Sequence, residues 1–165
     1  MKSIIFPLVF AVSGSLLLNK VGVKASDFTG ISAVDVVAVV GSKTFYKDAS
    51  NLYVSFLEFL QFCHANDMTT SSIESAEEQA AIVAYFNDTR YVEFLWLGGW
   101  DINNEGNWRW IDGDAQMSYT NWLPNAPNGG LAKNCAHFRP FSPHQWFDTP
   151  CVNDKNVAFC HKITT

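Results

Sequence analysis

Four cysteines, Cys63, Cys135, Cys151 and Cys160, constrain this chain more than any other feature. Zinc sites need close pairs such as C-x-x-C, and the wide spacings here provide none. An even number of cysteines behind a secretory leader implies two disulfides, with three connectivities open. The leader is legible. Lys2 gives a positive start, "IIFPLVFAVSGSLLL" an apolar stretch, and "VKA" before Ser26 a small-residue cleavage site. Residues 1–25 are therefore expected to be a signal peptide. A membrane anchor is the alternative, but the apolar stretch is shorter than the roughly 20 residues of a span. Pro7, Ser13, Gly14 and Ser15 weaken it further. A second run, "ISAVDVVAVV", is broken by Asp35 and reads as a strand. No membrane span is expected.

The chain has 11 basic and 16 acidic side chains, and three of the lysines lie in the leader. Beyond the leader the chain is strongly acidic, which argues against nucleic acid or an anionic membrane as a bulk partner. A soluble extracellular protein is expected. Six Trp, thirteen Phe and five Tyr supply one sound core.

Residues 26–42 read as a lead-in, and "KTFYKD" as a strand. Leu52, Phe56, Phe59, Leu60 and Cys63 then fall on one helical face. "MTTSSI" reads as a strand. Ser75 and Glu78 form a possible capping box for a second helix, with Gln79, Ile82, Val83 and Phe86 on its inner face. Asn87-Asp88-Thr89 is an N-glycosylation sequon in the turn after that helix. "YVEFLWLGG" is a strand run, followed by a turn-rich stretch, and "QWFD" and "NVAFCHK" close the chain as strands. Two helices followed by a strand- and loop-rich half make an α+β layout.

Six motifs occur in order: "FLWLGGWD", "EGNWRWIDG", "YTNWLPNAPN", "NCA", "QWFDTPC" and "VAFCHK". With the placement of all four cysteines, residues 43–162 resemble the C-type lectin-like domain family, in its short secreted single-domain form. The resemblance implies a double-looped α+β fold with two helices and two small antiparallel sheets. It implies the disulfides Cys63–Cys160 and Cys135–Cys151. Trp96, Leu97, Gly98, Trp108, Trp110 and Trp146 are expected in the core or turns, since large aromatics in such strands usually bury.

Sugar-binding members of the family hold calcium with a Glu-Pro-Asn or Gln-Pro-Asp triplet, an acid two before the loop cysteine, and a Trp-Asn-Asp triplet. Here the matching residues are Ala126-Pro127-Asn128, Lys133 and Trp146-Phe147-Asp148. Only Asn128 and Asp148 survive, and calcium wants about six to eight oxygens. No Asp or Glu lies between Asp114 and Asp148 to replace the missing ones. The resemblance also implies an auxiliary calcium position, where Asp101 and Glu105 match two acids, and Gly129 and Asn134 replace two more. The alternative is that Asp101 and Glu105 cap loop amides. No cofactor is expected, with calcium the single candidate.

His64, His137, His144 and His161 are scattered and read as surface residues, the alternative being a metal site from His137 and His144. No nucleophile elbow or H-E-x-x-H context is present, so no enzyme is expected. The sequence predicts a secreted recognition protein for an extracellular glycan or protein, in humoral immunity and with its calcium-dependent sugar site degraded. The alternative is a protein-binding domain without sugar binding. Asn125, Asn128, Lys133, Phe147 and Asp148 are the candidate ligand residues; a Lys133–Asp148 ion pair in the metal's place is one expectation for the loop, and a solvated surface lysine is the alternative.

Overall fold

The computed structural model describes residues 33–89, 91 and 93–164. The expected signal peptide and its cleavage site lie outside them. The expected α+β fold is present, with two helices, two sheets and both disulfides, Cys63–Cys160 and Cys135–Cys151. In the chain-entropy account, loops of 97 and 16 residues contribute roughly 4–5 and 3 kcal/mol.

The first sheet joins β1 (Val34–Val40), β2 (Lys43–Asp48), β11 (Phe159–Ile163) and β4 (Thr69–Thr70), in that order and all antiparallel. β1 is an outer strand with a bulge between Val36 and Ala38, where Val37 and Ala38 are both buried. β2 is buried along nearly its whole length, although it carries two lysines. Lys43 is anchored by Glu78 (3.2 Å), and Lys47 by Asp35 (2.7 Å) and the Asn51 carboxamide (2.9 Å). A buried ammonium survives only when paired in this way.

Helix α1 (Phe56–Ala65) opens on a complete capping box: Ser55 accepts from the Glu58 N–H, and Glu58 accepts from the Ser55 N–H at 2.7 Å. Phe56, Phe59, Phe62 and Cys63 form its buried face, and Cys63 meets Cys160 on β11. Leu52 departs from the expected face: it precedes the helix and is 63% exposed. Helix α2 (Ala76–Asn87) is capped by Ser75, but its box is incomplete. Glu78 instead accepts from the Glu74 N–H at 2.7 Å and pairs with Lys43, because a buried lysine needs the carboxylate more than an exposed helix end does. Gln79, Ile82 and Phe86 are buried as expected.

The second sheet is mixed. It runs β3 (Tyr53–Val54), β10 (Asn156–Val157), β5 (Leu95–Trp100), β6 (Arg109–Trp110) and β7 (Ala115–Gln116), with β8 (Cys135–Phe138) pairing both β5 and β9 (Trp146–Thr149). β10 runs parallel to β5 and the other pairings are antiparallel. The expected strand "MTTSSI" shrinks to Thr69–Thr70, and "NVAFCHK" breaks at Ala158 between β10 and β11. The break at Ala158 falls where the chain crosses between sheets, and Thr70 leads on to α2. The expected core aromatics are buried: Trp96 and Trp146 at 0%, Trp108 at 7% and Trp110 at 3% exposure. The Trp146 Nε1–H donates to the Gln79 carboxamide oxygen at 2.9 Å, tying α2 to β9. Gly98 has no room for a side chain, since a Cβ there would lie 2.2 Å from Thr70 Oγ1.

Candidate functional site

The long loop between β7 and β8 is fastened to β9 at its stem. The Leu123 N–H donates to the Trp146 carbonyl (2.7 Å), and the Trp146 N–H to the Asn121 carbonyl (2.8 Å). Trp122 packs edge-on to Trp108 and Trp146. Past the stem, the Ala126 N–H donates to the Leu123 carbonyl (2.9 Å), closing a turn in which Asn125 takes a left-handed backbone at φ +67. Asparagine is among the few side chains that tolerate this conformation. A 3-10 turn, Gly130–Ala132, leads back to β8.

Asp148 on β9 joins the two sides. It is 3% exposed, and its carboxylate oxygens accept the backbone N–H of Asn128 (3.1 Å) and of Gly129 (2.6 Å). These charge-assisted bonds pin the loop to β9. The expected Lys133–Asp148 ion pair is not among the ion pairs of the described residues. The two amides already occupy Asp148, and the Lys133 stem lies across Gly129, where an added Cβ would meet Lys133 Cβ, Cγ and Cδ at 2.4 Å.

Phe147 also departs from expectation. Successive residues of a strand face opposite sides, so Phe147 turns away from Asp148. It packs edge-on to His137 (centroids 3.7 Å) and Phe94 (5.4 Å). The structure thus brings Asn128 and Asp148 together and places Phe147 elsewhere. Asn125 and Asn128 are exposed, and neither carboxamide is hydrogen-bonded within the described residues. The backbone amides of Asn128 and Gly129 are the partners that side-chain reasoning missed; the glycine replacing an acid at position 129 was the available signal.

The principal calcium position does not fit these residues. Ala126 offers no donor atom, Phe147 faces away, and each oxygen of Asp148 already accepts a loop amide. At the auxiliary position, Asp101 accepts the Gly106 N–H through Oδ2 (2.8 Å), which is the loop-capping alternative. Its Oδ1 and the Asn134 Oδ1 are buried without partners. Burial first, and then the charge of Asp148, raise the Asp101 carboxyl above its ordinary range. Glu105 is raised as well, by desolvation first and then by Asp101 and Asp148. The three acids repel one another, but no group of three His, Cys, Asp or Glu able to hold a metal occurs among the described residues.

The histidines differ from the surface reading. His137 on β8 and His161 on β11 are buried, at 4% and 8% exposure. Burial lowers both to about 4. His137 stacks on Phe94 at 4.9 Å, and no metal-holding group of three His, Cys, Asp or Glu includes it and His144 among the described residues.

Known proteins agree with this architecture. The family described as "Lectin C-type domain" matches residues 53–162. A perlucin-like protein of Mytilus galloprovincialis is 35% identical over 89 residues, 53% of this chain and 57% of that protein. The chain thus spans little more than half of that relative's length. Perlucin of Haliotis laevigata is 32% identical over 115 residues, covering 68% of this chain and 73% of that protein. Among solved structures, the carbohydrate-recognition domain of the mouse scavenger receptor C-type lectin superposes with a TM-score of 0.65 at 26% identity, covering 77% of this chain and 95% of that one. With its double-looped fold, both disulfides and a family match over residues 53–162, the chain belongs to the C-type lectin domain family.

Proposed function

We propose that this protein is a secreted recognition protein that binds extracellular glycans, such as those of microbial surfaces in humoral defence, through its long loop and without calcium. One observation carries the reading. Each carboxylate oxygen of the buried Asp148 accepts a loop amide, while the exposed carboxamides of Asn125 and Asn128 have no hydrogen-bond partner among the described residues. A carboxamide offers a donor and an acceptor, which suits vicinal hydroxyls. The loop is shaped before any ligand arrives, which lowers the cost of binding. Lys133, on the returning arm, adds a cation at the rim. The test is a glycan array probed with and without chelator. Binding that survives chelator and is lost in Asn125→Ala/Asn128→Ala supports the reading; binding abolished by chelator refutes it.

A protein ligand is the second reading, favoured by Leu131. This side chain is 82% exposed at the crest of the same loop. Under this reading the array stays blank in both conditions.

A further inference from the structure

The segment "WDINNEGNWRW" contains a concave site separate from the long loop. A cavity of about 200 Å³ opens between the 101–107 loop and the β6–β7 turn, lined by Trp100, Asn103, Asn104, Asn107, Arg109 and Asp114 among others. Its frame is rigid. The Asp101 N–H donates to the Asn134 carbonyl (3.2 Å), Asp101 Oδ2 holds the Gly106 N–H (2.8 Å), and the Asn104 and Asn107 N–H groups close successive turns (3.0 and 2.9 Å).

The lining chemistry is unspent. None of the three asparagine carboxamides is hydrogen-bonded within the described residues, although asparagines in turns commonly bond their own backbone. Arg109 uses Nε on Asp114 Oδ1 (2.6 Å) and Nη2 on the Asp114 carbonyl, leaving Nη1 directed to no protein group. Trp100 is half-buried at the cavity wall. Amides that both donate and accept, one further N–H donor and an aromatic wall form the donor–acceptor pattern of a polyhydroxylated ring. Drug-sized sites span roughly 300–1,000 Å³, so this one has room for about a single ring. Charge narrows the class. Asp101 and Asp114 line the cavity, and Glu105 lies on its loop, against the single cation Arg109, so a sulfated or uronate sugar would meet net repulsion.

We propose that this cavity is a second, calcium-independent binding site for a neutral hexopyranose, contacted by Asn103, Asn104, Asn107 and Arg109. The proposal rests on the glycan reading above and extends it to a separate surface.

The test is a backbone amide NMR titration of the disulfide-bonded protein in EDTA with mannose, galactose, N-acetylglucosamine and, as an anionic control, glucuronate. Shifts are expected at residues 100–114 with at least one neutral sugar and none with glucuronate. Asn104→Ala/Asn107→Ala should weaken that sugar's binding about tenfold or more, for the loss of hydrogen bonds worth over 1.4 kcal/mol. These carboxamides touch no protein group, so the variant's melting temperature should not move. Asn128→Ala should leave this binding unchanged. Shifts confined to residues 122–133, lost in Asn128→Ala, would overturn the second site while leaving the long-loop reading standing. Silence with every sugar would overturn the cavity, whatever the array shows for larger glycans. Shifts at 100–114 with glucuronate alone would overturn the neutral class.

Discussion

Replacing Asp148 by alanine tests how the loop is held. The carboxylate is 3% exposed and accepts two backbone N–H groups, at 3.1 and 2.6 Å. A hydrogen bond to a charged group contributes about 1.5–3 kcal/mol net. Two such bonds would give about 3–6 kcal/mol, but two effects reduce this. The freed amides lie on an exposed loop that water can reach, and removing the charge relieves Asp101 and Glu105, both raised in part by Asp148. The expected cost of Asp148→Ala is therefore about 2–3 kcal/mol. Asp148→Asn keeps one acceptor oxygen and relieves the same repulsion, so it should cost about 1 kcal/mol. The assay is the guanidinium midpoint at unchanged m-value, with amide exchange at Asn128 and Gly129 as the local readout. At roughly 3–4 °C per kcal/mol, the alanine variant should melt about 6–12 °C lower. Millimolar calcium should leave the wild-type melting temperature within a degree or two, since a ligand that does not bind the native state cannot stabilise it. Lys133→Ala should show no coupling to Asp148→Ala in a double-mutant cycle. An alanine cost under about 0.5 kcal/mol, with Asn128 and Gly129 exchange unchanged, would refute the idea that the amides pin the loop.

Three further outcomes are expected. Stability should fall as pH drops from about 6.5 towards 4, because His137 and His161 are held near 4 in the fold, so the unfolded chain binds more protons in that window. The slope is up to about 1.4 kcal/mol per pH unit for each histidine, and denaturant midpoints that stay flat from pH 7 to 5 would contradict it. Gly98→Ala should cost about 2–3 kcal/mol, because its Cβ would lie 2.2 and 2.8 Å from Thr70 Oγ1 and Cβ, and a melting temperature within a degree of wild type would count against this packing. Asn87, exposed at the end of α2, should carry glycan when the protein is made in a eukaryotic secretory pathway, and glycosidase treatment that leaves gel mobility unchanged would count against it.

The sequence discloses the helices well because their evidence is periodic. Phe56, Phe59 and Cys63 on α1, and Gln79, Ile82 and Phe86 on α2, repeat at helical spacing, and the structure buries them. Leu52 fits the same period but precedes Ser55, the residue that caps the helix. The true capping box sits there, while Ser75 and Glu78 share the same signature without completing it. Which carboxylate closes a box depends on where Lys43 lies, and Lys43 is 35 residues from Glu78. The cysteine spacing left the pairing open; only the family resemblance gave it. At the site, Phe147 and Asp148 are adjacent in sequence but face opposite ways, so a reading by motif put both on one surface. Asp148's partners are main-chain amides, which every residue but proline carries, so no residue type advertises them. The two buried histidines looked like surface residues because nothing near them in sequence reveals the aromatic and sheet neighbours that cover them.

The bulge in β1 bears on solubility. "VDVVAVV" combines high β-propensity with a single charge, and it forms the outer strand of its sheet with Val36 and Val39 exposed at 53% and 63%. A flat strand of this kind is a template for a second copy and a nucleus for cross-β stacking. The extra residue at Val37 breaks the register and increases the local twist, so an incoming strand cannot match it along its length. Val37 thus interrupts the exposed edge as well as filling the core. Deleting that one residue would regularise the edge, and the clearest symptom would be turbidity or fibre formation rather than altered ligand binding.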